Sequence, residues 1–235
     1  MNGILKKLLT WIVLPVIIVL LGWAIVNSVM QPVRFNKEKA AREAVAIQQL
    51  KDIRTLEVAY KSATGVFTCC VDTLAKFYDE GKMSIIMQVG SSDDSAAVAH
   101  TDAVKKSFRG VKPSEINAKL FELYQKGDNN LVFTVENFVP VKDTLFKSRE
   151  GFDPAKLKFI PFAEGDTVLM DAIVKTVSGV QVPLFEAKIP YKQLLKGMDN
   201  QLRINLDAER RDMNRYEGLQ VGSITAPNNN AGNWE

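Results

Sequence analysis

Few side chains in this chain are equipped for covalent or acid–base chemistry. It holds one histidine, His100, and two cysteines, which are adjacent as Cys69-Cys70. His100 stands near Asp93, Asp94 and Asp102, so a base and several carboxylates share one polar stretch. Their spacing fits no calcium loop, which needs Asp or Asn at alternating positions, a glycine and a distal Glu. Adjacent cysteines close a disulfide only with unusual backbone geometry, and two cysteines cannot frame a fold. The expectation for Cys69 and Cys70 is a pair of small, buried, apolar thiols. The sequence contains no Gly-x-Ser-x-Gly elbow, Walker loop, dinucleotide fingerprint or His-Glu-x-x-His pair. A catalytic triad or a zinc site would have to be built from one His and one Cys pair. A pair of carboxylates is the one enzymatic arrangement the composition leaves open. The reading is a non-catalytic protein, with no catalytic residues, no cofactor and no metal.

The elements that would carry these residues are organised around the first third of the chain. Leu8 to Val26 is an uncharged run of roughly 19 residues, long enough as a helix to cover about 28 Å, close to a bilayer core. Trp11 and Trp23 lie near its two ends, where indole rings favour the membrane–water interface. Pro15 sits about one turn inside, a position that spanning helices tolerate better than soluble ones. Leu8, Trp11, Pro15, Trp23 and Val26 mark the expected anchor. A cleaved signal peptide is the competing reading, with Lys6 and Lys7 as its positive region, but its apolar core normally runs only about 7–15 residues. Lys and Arg occur on both sides of the run: Lys6 and Lys7 before it, Arg34, Lys37, Lys39 and Arg42 after it. Charge alone slightly favours a cytoplasmic domain.

Pro32 divides the apolar run from a second helical segment, either by breaking the chain after Gln31 or by sitting in the next helix's first turn. From Asn36 onward, Ala46, Leu50, Ile53, Leu56 and Tyr60 recur at three- and four-residue steps, with Ile47 beside them. Arg42, Glu43, Lys51, Asp52, Arg54 and Glu57 are expected on the other faces. Gly65 is placed to cap the helix. The apolar stripe, with Leu50, Ile53, Leu56 and Tyr60 at its centre, is expected to pack on the following domain. It does not hold the strict heptad of a coiled coil.

This stretch ends in Tyr60-Lys61-Ser62-Ala63-Thr64-Gly65-Val66-Phe67, followed by Asp72-Thr73-Leu74. An uncharged apolar helix, an amphipathic helix and a Gly-x-aromatic turn before a leucine-bearing segment resemble the helix-to-domain junction of type IV pilins and type II secretion pseudopilins. The Gly-Phe processing site and the early Glu of that family do not occur here. The ending Asn228-Asn229-Asn230-Ala231-Gly232-Asn233-Trp234-Glu235 is similar to the ends of membrane-anchored proteins of Bacteroides-like bacteria. Both resemblances imply a bacterial inner membrane with the C-terminal domain in the periplasm.

The expected plan is an anchor over 1–30, a stalk helix over 31–65, an extracytoplasmic domain over 66–225 and a flexible tail over 226–235. The fold class is α+β, with the N-terminal transmembrane helix continuing into an amphipathic helix that packs on an antiparallel-sheet domain. Net charge is +3, and Lys6 and Lys7 supply two of those charges, which leaves no electrostatic footprint for nucleic acid. Along the domain, Asp72–Gly81 reads as a short helix and Met83–Val89 as a strand. Gly90–Gly110 reads as a long surface loop, partly helical around Ala96–Ala99, Pro113–Lys126 as a helix and Leu131–Val135 as a strand. Leu157–Phe162 alternates like a strand. Val168–Val177 and Val180–Ile189 flank Ser178-Gly179 as a hairpin, and Pro183 marks the second arm as an edge or bulged strand. Leu202, Ile204 and Leu206 alternate as another strand before a short helix at 208–215, and Gly218–Thr225 is the last strand. The tail is free unless Trp234 docks. The expected partners are the lipid bilayer and other envelope proteins, met through a protein-binding, pilin-like assembly domain. The alternative is a membrane-tethered sensor that binds a small ligand or glycan. An exposed apolar face or sheet edge would favour the first, a deep polar pocket the second.

Overall fold

A computed structural model describes residues 11, 13–108 and 110–235; Leu8, Lys6 and Lys7 lie outside the described residues. The chain is a mixture of helix and antiparallel sheet that begins with one long helix, α1, Leu14–Thr64. It divides into two compact units, one of Met1–Thr55, Phe67–Val71 and Asp153–Glu235, the other of Leu56–Val66 and Asp72–Phe152.

The first half of α1 is apolar and bare. Trp23, Val26 and their neighbours are exposed, Trp23 by 68%. Pro15 is the second residue of α1, directly after the π-helical turn at Trp11 and Val13. Pro32, expected to separate two helices, lies inside a single one. A proline in a helix interior costs about 3 kcal/mol. The turns around it propagate without a new nucleation step, and the residues after it are strong helix formers. Arg42 bonds Glu38 at 2.9 Å and Lys39 approaches Glu43 at 3.8 Å, both at helical four-residue spacing.

In the first unit, Ala46, Leu50 and Ile53 are fully buried. Asp52, expected on a charged face, is buried as well and accepts a hydrogen bond from Gln48 at 2.9 Å. A 3-10 turn, Pro154–Lys158, follows Asp153, whose carboxylate accepts the Ala155 N–H. The strand expected over Leu157–Phe162 is therefore absent, and only the single bridge Phe159↔Thr167 forms there. Pro154 presets that turn and Pro161 cannot donate to a ladder, so the alternation there has no partner to pair with.

A three-stranded sheet follows: β3, Leu169–Val177; β4, Val180–Pro190; and β5, Gly218–Gly222, in the order β3-β4-β5. Ser178 and Gly179 both take positive φ, as the expected two-residue hairpin turn requires. Phe185, Ala187, Ile189, Leu219 and Val221 give one face of the sheet an almost fully buried core. Phe67 meets Phe185 with ring centroids 4.8 Å apart. β4 is the central strand over Glu186–Pro190, where β5 pairs with it, and an open edge on that side at Pro183, as the proline implies. A helical turn, α6, Tyr191–Leu194, and a helix, α7, Asn200–Asp212, connect β4 to β5. α7 replaces the strand expected over 202–206. Asp199 caps it by accepting the Leu202 N–H at 2.9 Å.

In the second unit, α2, Val71–Glu80, buries Leu74 and Tyr78. Tyr78 packs against Phe146 and Phe152, themselves stacked at 4.1 Å. Tyr60 meets Phe77 edge-on at 5.3 Å, and Leu56 and Glu57 are fully buried, the latter against expectation. β1, Lys82–Val89, pairs antiparallel with β2, Phe133–Pro140, so the strand expected at Leu131–Val135 is shifted toward the C-terminus to match its eight-residue partner. The stretch expected as a loop with a little helix around Ala96–Ala99 holds a longer helix, α3, Ser95–Ser107, capped by Asp94 through the N–H groups of Ala96 and Ala97. α4, Pro113–Gln125, places Leu120 in a core with Val89, Leu131 and Phe133. A one-turn α5, Val141–Thr144, closes β2.

The tail from Ala226 to Glu235 is tied down. Gly232 bridges Val221, Asn233 exchanges hydrogen bonds with Gln220, and the Trp234 Nε1 atom is buried. Arg54 reaches the Asn230 carbonyl at 3.3 Å and the Glu235 carboxylate at 2.7 Å.

Candidate functional site

The residues expected to carry chemistry are dispersed. His100 lies on α3, and its Nε2 is 2.9 Å from Asp128 rather than from Asp93, Asp94 or Asp102. That bond to His100 is the leading cause holding the Asp128 carboxyl below its usual range. Cys69 and Cys70 are free but exposed, correcting the expectation of burial. They sit between Gly65 and the start of α2, a short connection with little core of its own. Among the described residues, no group of three or more His, Cys, Asp or Glu side chains is placed to hold a metal.

Two polar clusters escaped the sequence reading. In the first, Tyr191 is fully buried, its hydroxyl donates to Glu43 at 2.5 Å, and it accepts from Arg210 at 2.8 Å. The Arg210 guanidinium also covers the Tyr191 ring at 5.1 Å. Burial first, then the Glu43 carboxylate, raises the Tyr191 pKa well above its ordinary value. A phenol so held keeps its proton and clamps three elements together.

The second is an open cleft of about 800 Å³ lined by Lys192, Arg203, Asp207, Arg211, Arg215 and Glu217, with others. Its two carboxylates are each paired with an arginine of the same cleft. Arg203 bonds Asp207 at 2.6 Å and Arg211 bonds Glu217 at 2.7 Å. Burial pushes the Asp207 carboxyl up, with Arg203 opposing that shift. The Arg203–Asp207 spacing of four residues was the available signal for a helix here.

A shallower groove of about 620 Å³ runs between α1 and the 3-10 segment, lined by Ala44, Val45, Gln48, Leu157, Phe159 and Pro161. Its floor is fixed by Gln49, whose amide donates to the Leu157 and Phe159 carbonyls at 2.7 and 2.8 Å.

The most exposed apolar groups of the domain are on its strands. Val180 is 63% exposed, and Leu169, Ile173 and Val174 are exposed with it on the β3–β4 hairpin. On the other ribbon, Ile86 is 72% and Phe138 62% exposed. Phe138 lies opposite Ser84 and Ile86 opposite Glu136, which makes the two apolar side chains diagonal neighbours on one face. The sites expected from sequence fall elsewhere. Trp11, Pro15, Trp23 and Val26 are exposed at or near the start of α1, whereas Leu50, Ile53 and Leu56 are buried and Tyr60 half-buried near its end. α1 is long and apolar enough in its first part to cross a membrane. No protein-family model, curated protein or solved structure matches this chain.

Proposed function

We propose that this chain is a non-catalytic, single-pass membrane protein of a bacterial envelope whose C-terminal domain docks other proteins, in a pilin-like assembly role. The start of α1 is the anchor, in contact with lipid. Its later part, through Leu50, Ile53, Leu56 and Tyr60, is the stalk that holds the domain, and the domain lies on the periplasmic side of the inner membrane. The observation that carries this reading is the exposed apolar side of the β3–β4 hairpin, where Leu169, Ile173 and Val180 share one face. Apolar groups held in the open on a rigid strand pair mark a contact surface. The alternative of a ligand sensor rests on the cleft beside α7, where Arg203 and Arg211 already have carboxylate partners. The test is photo-crosslinking of the full chain in intact membranes, with the reactive side chain at Val180. Crosslinks to protein support the reading. An absence of protein crosslinks from Val180 and from Phe138 alike would overturn it.

A further inference from the structure

We infer that β3 is a self-pairing edge, and that the protein docked there is a second copy of this chain joined strand to strand. The inference rests on the protein-docking reading and names its partner. The two-residue turn makes Val177 and Val180 the last hydrogen-bonded pair of the hairpin. Counting back by twos, Lys175, Ile173, Asp171 and Leu169 turn their backbone groups toward β4. Met170, Ala172, Val174 and Thr176 turn theirs to the open side. The Ala172 N–H confirms that count, since it is capped by the Asp171 carboxylate at 2.8 Å and not by a neighbouring strand.

The other edges of this sheet are closed. Along β5, the tail covers the outer side through the Val221↔Gly232 bridge and the Asn233 bonds to Gln220. Where β4 extends beyond β5, Pro183 presents no N–H to a new strand. Among the described residues, no strand pairs with the outer side of β3.

The side chains of β3 complement themselves. Leu169, Asp171, Ile173, Lys175 and Val177 share one face. In an antiparallel pairing centred on Ile173, each Asp171 stands opposite Lys175 of the second copy, and each Leu169 opposite its Val177. The two Ile173 side chains meet at the two-fold axis. This register also satisfies the backbone, because Ala172 and Val174 of the second copy, both open, fall opposite each other and exchange N–H···O bonds. Shifted by one residue, the open groups of one copy would face the inward-turned groups of the other. Pairing frees Asp171 from its Ala172 cap, whose N–H passes to the carbonyl of Val174 in the second copy. Lys175 donates to the Thr225 carbonyl at 2.6 Å and, with three N–H groups, keeps that bond while meeting Asp171.

The test is sedimentation of the full chain in detergent over a range of protein concentrations. Detergent frees the two anchors from a common bilayer plane, so that the strand pairing alone is read. The unaltered chain should dimerise. Asp171→Lys or Lys175→Asp places like charges opposite each other at two positions and should weaken the dimer roughly tenfold or more. An equimolar mixture of these two variants regains both opposite-charge pairs and should restore dimerisation, which no general loss of folding would permit. Val174→Pro, which removes an open N–H without touching the hairpin ladder, should abolish it. A chain that stays monomeric at every concentration, a mixture that fails to recover, or a reversal that strengthens association would each overturn the proposal. Crosslinks from Val180 to other proteins, with no self-pairing in detergent, would overturn this inference while leaving the docking reading intact.

Discussion

Tyr191 joins α1, α6 and α7 through a single hydroxyl, donating to Glu43 and accepting from Arg210. Tyr191→Phe takes one bond from each partner in a part-buried setting, so the full chain in detergent should lose about 1–3 kcal/mol of stability, read by thermal unfolding. The same link changes how Glu43 is understood: its spacing places it on a charged face, yet it receives a bond from a residue nearly 150 positions away. No local pattern encodes that. Leu50 and Ile53 were legible because apolar residues at helical spacing face a core whatever that core turns out to be. Either one changed to Ala should cost about 2–5 kcal/mol, while Lys51→Ala, on the exposed side, should leave the unfolding midpoint nearly unchanged. Asp52 and Glu57 were misread because a carboxylate in sequence says only that burial must be compensated, not that it cannot occur. Alkaline pH gives a separate test. Burial, then the carboxylates of Glu186 and Glu217, push the Tyr216 hydroxyl up to about 12. The fold thus favours the neutral phenol. Its contribution is fully present below the unfolded value near 10 and is lost as pH climbs from about 10 to about 12. Tyr216→Phe should flatten that fall in the midpoint measured against pH.

At the scale of elements, the hairpin of β3 and β4 and the helix α4 were legible from turn chemistry and from Pro at a helix start. Two helices were legible only in part. α3 is built from Ala, Ser, Thr, His and Asp with few large apolar residues, so it shows little stripe. Its order comes from the Asp94 cap and from Thr101, which accepts the Val132 N–H at 2.7 Å. In α7, Leu202, Ile204 and Leu206 alternate as a strand would, and the deciding signals were Asp199 before the run and the four-residue Arg203–Asp207 spacing. If those caps hold the helices, Asp94→Ala and Asp199→Ala should each lower stability by about 1 kcal/mol, and Asp→Asn at either position by much less. Amide exchange can localise the effect: protection should fall in the first turn of the helix whose cap was removed. Uniform loss across the chain would show that the carboxylate acts on something other than its own helix.

For the molecule as a whole, the long apolar helix was legible in the sequence, whereas the sidedness proposed for it was not. An uncharged run of membrane-spanning length is read directly from composition, whereas orientation depends on a Lys and Arg imbalance that this chain spreads over both flanks. The bare apolar start of α1 passes without interruption, through Pro32, into the part of the helix that buries Ala46, Leu50 and Ile53. The proposed anchor is thus continuous with a core element and cannot be displaced as an independent tail. Substituting Lys for both Ile17 and Ile18, near the middle of the apolar run, should oppose insertion by roughly 3 kcal/mol per charge. Those side chains are exposed and far from the buried residues of the first unit, so the domain should still fold. The expected result is a protein recovered in the soluble fraction after alkaline extraction, with the unfolding midpoint of its domain unchanged, whereas the unaltered chain stays with the membrane. A soluble, shortened chain beginning near Val29 from the unaltered gene would show that the apolar run is removed and does not anchor. Sidedness is then read on the anchored protein by fusing a reporter after Glu235. The reading expects activity from a reporter that works only outside the cytoplasm, and activity only from a cytoplasmic reporter would reverse the orientation in favour of the charges that follow the apolar run.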